Sequence, residues 1–379
     1  MSVNNRQLSI LFNVHHLYYL PQFLPVARAM EDDGAFDVWY SAYVDKKRID
    51  YGLIKKIVGE LNGQFIDAKN EIERRRKILD RNFDVTFFGK SSHAEKYCSK
   101  DTLAVLLYHG IGVKFCYYTD YNPRIDVRYV EGKYRSERLK KQSIDTELIV
   151  TGFPKLDLLL EDFDEGKILK KLSIDSSKPI ILYAPTFYPS SIEVFGERIA
   201  ELTKDFNLIV KLHHFSWVLK KYRHQKSLFL KLSKLYSHIK LLPVEEFNVI
   251  PFFKISDVLL SEASSTVFEY LATGKPSIIC DFYHLRRKHR IFFKKFEKSR
   301  MDTEIIRHLD FTYQLGNPEE LPLIVEKALS EKKQKSQLIN ERRGLFLGNI
   351  DGKAAKRVVE DIKKRKQSPI NADPPIGGC

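Results

Sequence analysis

The sequence predicts an α/β fold in which two doubly wound parallel sheets face each other across a cleft. Short apolar runs alternate with helical segments along the chain, and the alternation starts again after a polar, charged stretch at 161–178. Each apolar run has the length of a strand. None approaches the roughly 20 residues of a membrane span. Because ligands of open α/β sheets bind beyond the carboxyl ends of the strands, we expect functional residues at those ends.

The first half of the chain alternates buried strands and helices. The predicted strands are QLSILFNV, FDVWYSAYV, FDVTFFG, TLAVLLYHG and TELIVTGFP. The predicted helices are YYLPQFLPVARAMEDDG, DYGLIKKIVGELNG and NEIERRRKILDRN, and Gly34 ends the first of them. Strands connected through helices are typically parallel neighbours. We assign residues 1–175 to this first domain, on the acceptor side of the cleft.

The second half repeats the pattern. The predicted strands are KPIILYAPTFYP, FNLIVKLHH, HIKLLPV, ISDVLLSEASS and PSIICDF. The predicted helices are FGERIAELTKD, a long basic helix over 217–236, and STVFEYLATG. We assign 176–350 to a nucleotide-binding second domain and 351–367 to a C-terminal helix that packs back on the first domain. The tail 368–379 is predicted to be disordered.

The net charge of +14 indicates an anionic partner. Residues 286–300 carry eight Lys or Arg against one Glu, with three phenylalanines between them. This composition suits an anionic lipid surface, RNA, or a solvated basic helix whose phenylalanines face the core. The N-terminus lacks the pattern of a signal peptide, and the four cysteines are scattered like free thiols, so we expect a cytoplasmic protein.

Polar residues follow several of the predicted strands. His109 and Gly110 end one strand, with Lys114 close behind; the glycines of this loop allow backbone to approach a ligand, and a histidine exchanges protons near neutral pH. Gly152 and Lys155 belong to the turn TGFPKLD. A lone loop histidine is usually structural, so His109 needs its context to be read as catalytic.

Three further strand ends belong to the second half. Thr186 follows YAP, and Lys211 and His213 follow the strand FNLIV. The strand DVLLS delivers Glu262, Ser264, Ser265 and Thr266 to the start of a helix, and Glu269 lies one turn further on. Ser and Thr are good N-caps, and the unpaired N–H groups of a helix start attract phosphate. A well-capped structural helix is the competing interpretation.

Common cofactor motifs are absent from the sequence. It contains no P-loop, no GxSxG, no GxGxxG and no HExxH or paired CxxC spacing. We therefore predict no metal site and no cofactor.

Taken in order, these strand ends resemble the CDP-glycerol glycerophosphotransferase family, whose members build teichoic acid and some capsule backbones. The matching segments are HGIGVK, TGFPKLD, YAPTF, VKLHHF, DVLLSEASS and DGKAAKRVVEDI, over roughly residues 105–360. The resemblance implies a GT-B fold of two Rossmann-like domains. It also implies transfer of a polyol phosphate from a CDP-linked donor to a lipid-linked or polysaccharide acceptor, in which a hydroxyl attacks the β-phosphorus and CMP leaves.

The resemblance also implies roles for individual residues. His109 would be the general base or a positioning group for the attacking hydroxyl, and His213 would stabilise the transferring phosphoryl group or protonate the leaving phosphate. Ser264, Ser265 and Thr266 would hold the pyrophosphate. The remaining candidates for donor binding are Lys211, Thr186, Glu269, Gly152 and Lys155, and the supporting residues are Gly110, Lys114 and Glu262. The segment 286–300 would dock the protein on the inner face of the membrane, with no nucleic acid as partner.

The sequence departs from the family pattern at two places. SEASS stands where the family usually has Thr-Asp-Tyr-Ser-Ser, and His214 stands where a proline commonly follows the second histidine. Two alternatives remain at this point: a GT-B enzyme acting on a nucleotide sugar, such as a glycosyltransferase or a UDP-sugar 2-epimerase, and a non-enzymatic protein that binds RNA or membranes.

Overall fold

The computed structural model describes residues 6–45, 50–61, 63–142, 144–293 and 303–367. Within them the chain forms two parallel sheets, which confirms the predicted fold class. The predicted division near residue 175 falls in the connection between the last strand of one sheet and the first strand of the other. The tail 368–379 and the part of the basic segment beyond residue 293 lie outside the described residues.

The first sheet has seven strands in the order β3-β2-β1-β4-β5-β6-β7. In chain order they are Leu8–Val14, Phe36–Ala42, Gln64–Phe65, Val85–Phe88, Leu103–Leu107, Val127–Val130 and Glu147–Val150. The α-helices that follow or connect these strands are Leu20–Asp33, Asp50–Glu60, Glu71–Arg81, Cys116–Thr119, Lys133–Lys141 and Glu165–Leu172.

The second sheet has six strands in the order β10-β9-β8-β11-β12-β13. From β8 to β13 they are Ile180–Tyr183, Asn207–Val210, Ile239–Leu241, Val258–Ser261, Ser277–Cys280 and Tyr313–Leu315. The α-helices of this half are Ile192–Phe195, Ile199–Leu202, His214–Val218, Arg223–Leu235, Ile250–Ile255, Ser265–Tyr270, Arg287–Ile291, Thr303–Ile306, Leu321–Ser330, Ser336–Leu347 and Ala354–Gln367.

Several elements differ from the prediction. The helix predicted over 217–236 is interrupted, because Leu219 adopts an extended conformation between His214–Val218 and Arg223–Leu235. The helix predicted from FGERIAELTKD is also divided into short pieces around Gly196, whose φ is +55°. Strand β6 was not predicted, because Arg128 interrupts its apolar pattern. The Arg128 guanidinium is nevertheless buried and donates to the carbonyl of Asp120.

The C-terminal helix Ala354–Gln367 contacts the first domain. Its apolar side chains Val358 and Ile362 belong to the same core cluster as Leu20 in the first domain. At its start, the Asp157 carboxylate accepts hydrogen bonds from the N–H groups of Ala354 (3.1 Å) and Ala355 (2.8 Å). The TGFPKLD turn therefore acts as an N-terminal cap for the last helix.

One apolar cluster extends from the first sheet into the second and joins the two domains. It contains Ile111 and Tyr117 from the loop region after β5 and Val267 and Phe268 from the helix Ser265–Tyr270. The loop lies so close to this helix that a Cβ atom at Gly110 would come within 2.9 Å of Ser265 Oγ, and one at Gly112 would overlap the Phe268 ring. The two glycines thus allow the domains to pack directly against each other at this point.

We expect Gly112→Ala to destabilise the protein by about 2–4 kcal/mol, since the new methyl group meets Phe268 and the residue has a φ of +91°. Urea unfolding measures this loss. Gly59→Ala is the matched control: it lies in the helix Asp50–Glu60 with open space around it, and should be neutral or slightly stabilising. A Gly112→Ala protein with the midpoint of the wild type would contradict the packing described here.

A candidate active site between the two domains

The carboxyl ends of strands from both sheets meet at the cleft. A cavity of about 120 Å³ lies there. Its polar and aromatic lining includes Tyr18 from the first domain and Lys211, His213, His214, Trp217 and Thr266 from the second. The structure therefore brings together three residues that the sequence predicts as site residues: Lys211, His213 and Thr266.

His109 lies at the end of β5 and is partly exposed to the cleft. Its Nδ1 is 2.8 Å from the carbonyl oxygen of Gly89, and the ring stacks on Tyr19 with 4.7 Å between centroids. Because a carbonyl only accepts, Nδ1 carries the proton and Nε2 keeps its lone pair. Burial lowers the pKa of His109 to about 3, and the charges of Lys114 and Lys155 act in the same direction. The ring is therefore a neutral imidazole whose Nε2 is an acceptor.

Arg135 donates hydrogen bonds to the backbone of the loop that follows His109. This buried guanidinium donates to the carbonyls of Gly110 (2.8 Å) and Tyr117 (3.2 Å) and pairs with Glu131 at 2.8 Å. Lys114 lies 5.6 Å from the centre of the Tyr117 ring. The loop backbone is thus fixed by charge-assisted hydrogen bonds.

His213 is in the opposite tautomer to His109. The N–H of Phe215 donates to His213 Nδ1 at 3.1 Å, so the proton of the neutral ring is on Nε2. Burial holds the pKa of His213 well below its usual range, and Lys114, Lys211 and the neighbouring histidines add to the effect. The Tyr18 ring lies between the two histidines, with its centroid 5.0 Å from His109 and 6.0 Å from His213.

Lys211 provides positive charge beside His213. Burial lowers its pKa to about 8, and repulsion from Lys155 contributes. Lys211 is consequently charged below about pH 8 and loses its charge above it. An anionic group bound next to it would favour the charged form.

The helix Ser265–Tyr270 begins at the same edge of the second sheet. Ser264 has the extended backbone of an N-cap, but its hydroxyl is 3.1 Å from Ser261 Oγ and makes no capping bond. Ser265 Oγ lies 3.1 Å from the hydroxyl of Tyr117 in the first domain. The helix start therefore adjoins the His109 loop, and Thr266 faces the cavity.

Four other predicted donor-binding or supporting residues make internal contacts. Lys155 Nζ donates to Glu269 Oε2 at 2.5 Å, an ion pair that joins the two domains. The Glu262 carboxylate accepts from the N–H groups of Thr186 and Ser191, both at 2.6 Å, and so ties the loop after β8 to the end of β11. A role of Lys155, Glu269, Glu262 or Thr186 in donor binding stays a prediction.

Gly152 is another predicted donor-binding residue, and it lies against the C-terminal helix. A Cβ atom at this position would come within 3.1 Å of Ala354 Cβ, and the backbone φ is +88°. The position therefore requires glycine for the close approach of that helix. Its predicted donor contact stays a prediction.

The sequence analysis missed cleft residues in the first 50 positions. His16 and Tyr18 follow β1, and Asp50 begins the helix after β2. Tyr18 lines the cavity, and Asp50 contacts His214, which also lines it. His16 Nδ1 is 3.5 Å from Asp50 Oδ2, and Asp50 Oδ1 contacts His214 Nε2. The signal available in the sequence was the pair His15-His16 directly after the first buried strand, at the edge where ligands of such sheets bind.

No three His, Cys, Asp or Glu side chains of the described part are arranged to hold a metal ion. Within the same residues, no helix combines the length and the apolar character that a bilayer span requires.

The chain is similar in sequence to bacterial teichoic acid polymerases. The chain is 23% identical to a teichoic acid poly(ribitol-phosphate) polymerase of Bacillus spizizenii, over 86% of this chain and 58% of the relative. It is 28% identical to a teichoic acid poly(glycerol phosphate) polymerase of the same organism, over 40% of this chain and 39% of the relative. The chain thus spans between about two fifths and three fifths of the length of these relatives.

Among solved structures, the wall teichoic acid polymerase TagF superposes with a TM-score of 0.68 at 15% identity, over 96% of this chain and 91% of that one. This likeness confirms the predicted GT-B arrangement. The family model described as CDP-Glycerol:Poly(glycerophosphate) glycerophosphotransferase matches residues 139–364, more than half of the chain. The resemblance inferred from the strand-end motifs is therefore confirmed, and the chain belongs to the CDP-glycerol:poly(glycerophosphate) glycerophosphotransferase family.

Proposed function

We propose that this protein transfers a polyol phosphate from a CDP-linked donor to a hydroxyl of a lipid-linked or polysaccharide acceptor, with release of CMP. The observation that carries the proposal is the pair of neutral histidines on opposite sides of the cleft. His109 offers a nitrogen lone pair from the first domain, and His213 offers an N–H from the second. Family membership supplies the substrate class.

In this reaction His109 acts on the acceptor hydroxyl. Its Nε2 takes the hydroxyl proton while the acceptor oxygen forms a bond to the β-phosphorus, and the bond from that phosphorus to the bridging oxygen of CMP breaks. Burial lowers the pKa of His109 to about 3. A bound pyrophosphate brings negative charge next to the ring, which raises the pKa of His109 and makes it a stronger base when the donor is present.

His213 acts as a hydrogen-bond donor. Burial holds its pKa well below the usual range, so the ring is neutral before an anion binds and carries its single proton on Nε2. A neutral Nε2–H can still stabilise charge on the transferring phosphoryl group. Of the two roles that the family resemblance implies, the electrostatic one therefore fits His213.

The pyrophosphate is held by the start of the second-domain helix and by Lys211. Ser264, Ser265 and Thr266 are placed there by the end of β11, and Thr266 lines the same cavity as Lys211. Phosphoryl transfer depends mainly on positioning and on stabilising negative charge. Lys155 contributes a further positive charge, although Glu269 balances it.

We further propose that the basic segment docks the protein on an anionic membrane, at the inner face of the cell membrane where a lipid-linked acceptor is available. The side chains of Ile291 and Phe292 are each 64% exposed, and Phe293 is 42% exposed. Arg287, Lys288 and Arg290 lie directly before them in the chain, in the helix Arg287–Ile291. Exposed aromatic rings among cations fit the boundary of an anionic lipid headgroup layer.

The reaction is tested with His109→Ala and His109→Asn. Asparagine retains an N–H for the Gly89 carbonyl but has no basic nitrogen, so both variants should lose about 100-fold or more in CMP release from CDP-glycerol or CDP-ribitol with a polyol-phosphate acceptor. Thermal stability of the asparagine variant serves as the folding control. A wild-type protein that releases no CMP from either donor, or variants that retain full turnover, would refute the proposed reaction.

The pH dependence tests Lys211. Because the charged form of Lys211 is lost as the pH rises through about 8, kcat/KM for the donor should fall above that pH in the wild type. Lys211→Arg keeps a positive charge throughout this range, and its profile should stay flat. Steady-state CMP release between pH 6 and pH 10 provides the comparison. If both proteins lose activity at the same pH, another group controls the profile.

Membrane docking is tested by Phe292→Ser combined with Phe293→Ser. Sedimentation with phosphatidylglycerol-containing vesicles should show at least tenfold weaker binding, while CMP release with a water-soluble acceptor should stay unchanged. Leu323→Ser is the control, because this equally exposed leucine lies on the distant helix Leu321–Ser330. Equal vesicle binding by the wild type and the double variant would exclude these rings as the docking element.

A further inference from the structure

Two lysines of the first domain lie on the loops beside His109. Lys90 directly follows Gly89, whose carbonyl oxygen is 2.8 Å from His109 Nδ1. Lys114 lies on the loop after β5, which begins at His109. Both lysines are therefore connected through short stretches of backbone to the residue proposed as the base.

Further hydrogen bonds join these two loops. The carboxylate of Asp120, at the end of the helix Cys116–Thr119, accepts from the N–H of Ser91 at 3.0 Å and from its hydroxyl at 2.6 Å. The side chain of Asn122 donates to the carbonyl of Ser91 at 3.0 Å. Ser91 directly follows Lys90 in the chain. The loops after β4 and β5 therefore form one connected unit, and each of them carries a lysine.

Lys114 lies where the first domain meets the second. Its Nζ is 5.6 Å from the centre of the Tyr117 ring, and the centroids of the Tyr117 and His109 rings are 6.0 Å apart. The Tyr117 hydroxyl is 3.1 Å from Ser265 Oγ in the second domain. Burial is the largest cause of the lowered pKa of both His109 and His213, and the charge of Lys114 adds to it. Lys114 is therefore close to both histidines of the cleft.

Neither ammonium group is neutralised by a partner. In the part of the chain that the structure describes, Lys90 and Lys114 form no ion pair and no side-chain hydrogen bond. The nearby carboxylate of Asp120 is bonded to Ser91 instead. Burial raises the pKa of the Cys116 thiol, whereas the charges of Lys114 and Lys90 both lower it, so the two lysines act on the same place. Two uncompensated cations in one neighbourhood suit an anionic ligand.

The position of the two lysines favours the acceptor over the donor as their ligand. The main groups proposed to hold the donor's pyrophosphate, Lys211 and the helix start at 264–266, belong to the second domain. Lys90 and Lys114 belong to the first domain, beside the proposed base. A polyol-phosphate acceptor must bring its terminal hydroxyl to His109 Nε2. Its nearest phosphodiester then lies one polyol unit further along the acceptor chain, next to the loops that carry the lysines.

We propose that Lys114 and Lys90 form an anion subsite that contacts the phosphodiester adjacent to the attacking hydroxyl of the acceptor. The identity of this ligand rests on the proposed function. The subsite favours an acceptor that already carries a polyol phosphate over an uncharged alcohol, because an uncharged alcohol leaves both cations without a partner. The same contact holds the acceptor hydroxyl near His109.

Binding without turnover tests the subsite. The ligand is a synthetic oligo(glycerol phosphate) with a fluorescent label at the end remote from its free hydroxyl, and its binding is followed by fluorescence anisotropy. Lys114→Gln and Lys90→Gln each remove one charge, whereas Lys114→Arg retains it. Lys100→Gln is the matched control. This exposed lysine precedes β5, at the opposite edge of the sheet from the cleft, and its substitution lowers the net charge by the same amount.

We expect Lys114→Gln and Lys90→Gln each to weaken binding of the oligomer about three- to tenfold, with a smaller difference from the wild type at high salt. Lys114→Arg and Lys100→Gln should bind it like the wild type. Calorimetric titration with CDP-glycerol should give the same affinity for all of these proteins. In steady-state CMP release, the two glutamine variants should raise the KM for the oligomer and leave the KM for the donor unchanged.

Three binding results would overturn the inference: a wild type that does not bind the oligomer, a glutamine variant of Lys114 or Lys90 that binds it as tightly as the wild type, or an equal loss in Lys100→Gln. A parallel loss of affinity for CDP-glycerol would also overturn it, because the lysines would then contact the donor. Since binding requires no turnover, a protein that shows the expected binding but releases no CMP retains the subsite and loses only the proposed reaction.

Discussion

The packing of the His109 loop against the helix Ser265–Tyr270 is the contact on which the site depends. This loop belongs to the first sheet and the helix to the second, and they approach so closely that a Cβ atom at residue 112 would overlap the Phe268 ring. The contact brings His109 to the same cleft as the groups that follow β9 and β11. Without it, each domain would carry half of the proposed site, because the proposed base His109 and the proposed phosphate-binding groups are more than 100 residues apart in the chain.

Burial of the cleft residues also determines their protonation states. The low-dielectric surroundings favour uncharged rings, and this is the largest cause of the lowered pKa of both His109 and His213. Lys211 stays charged up to about pH 8. The cleft therefore combines two neutral histidines with a cation, an arrangement that costs less to bury than three positive charges and that suits the proposed pyrophosphate.

The sequence predicts the two sheets and the strand ends because both follow from local patterns. A buried parallel strand reads as an apolar run, and the polar residues directly after it must lie at the ligand-binding edge. Partners across the cleft have no such local signal. Lys155 forms an ion pair with Glu269, and Asp50 contacts His214, although the members of each pair are more than 100 residues apart. Strand β6 was not predicted for a related reason, since the buried Arg128 interrupts its apolar pattern.

The position of His214 shows how a departure from the family pattern can be accommodated without cost to the local fold. His213 is the N-cap of the helix His214–Val218, and the next residue is its first helical position. Proline is favoured at such a position because that N–H has no intrahelical partner, so the proline that the resemblance implies and this chain's histidine suit the same backbone. The histidine adds a side chain that reaches Asp50 in the first domain. It therefore leaves the helix start in place and adds a polar group to the cavity wall beside His213.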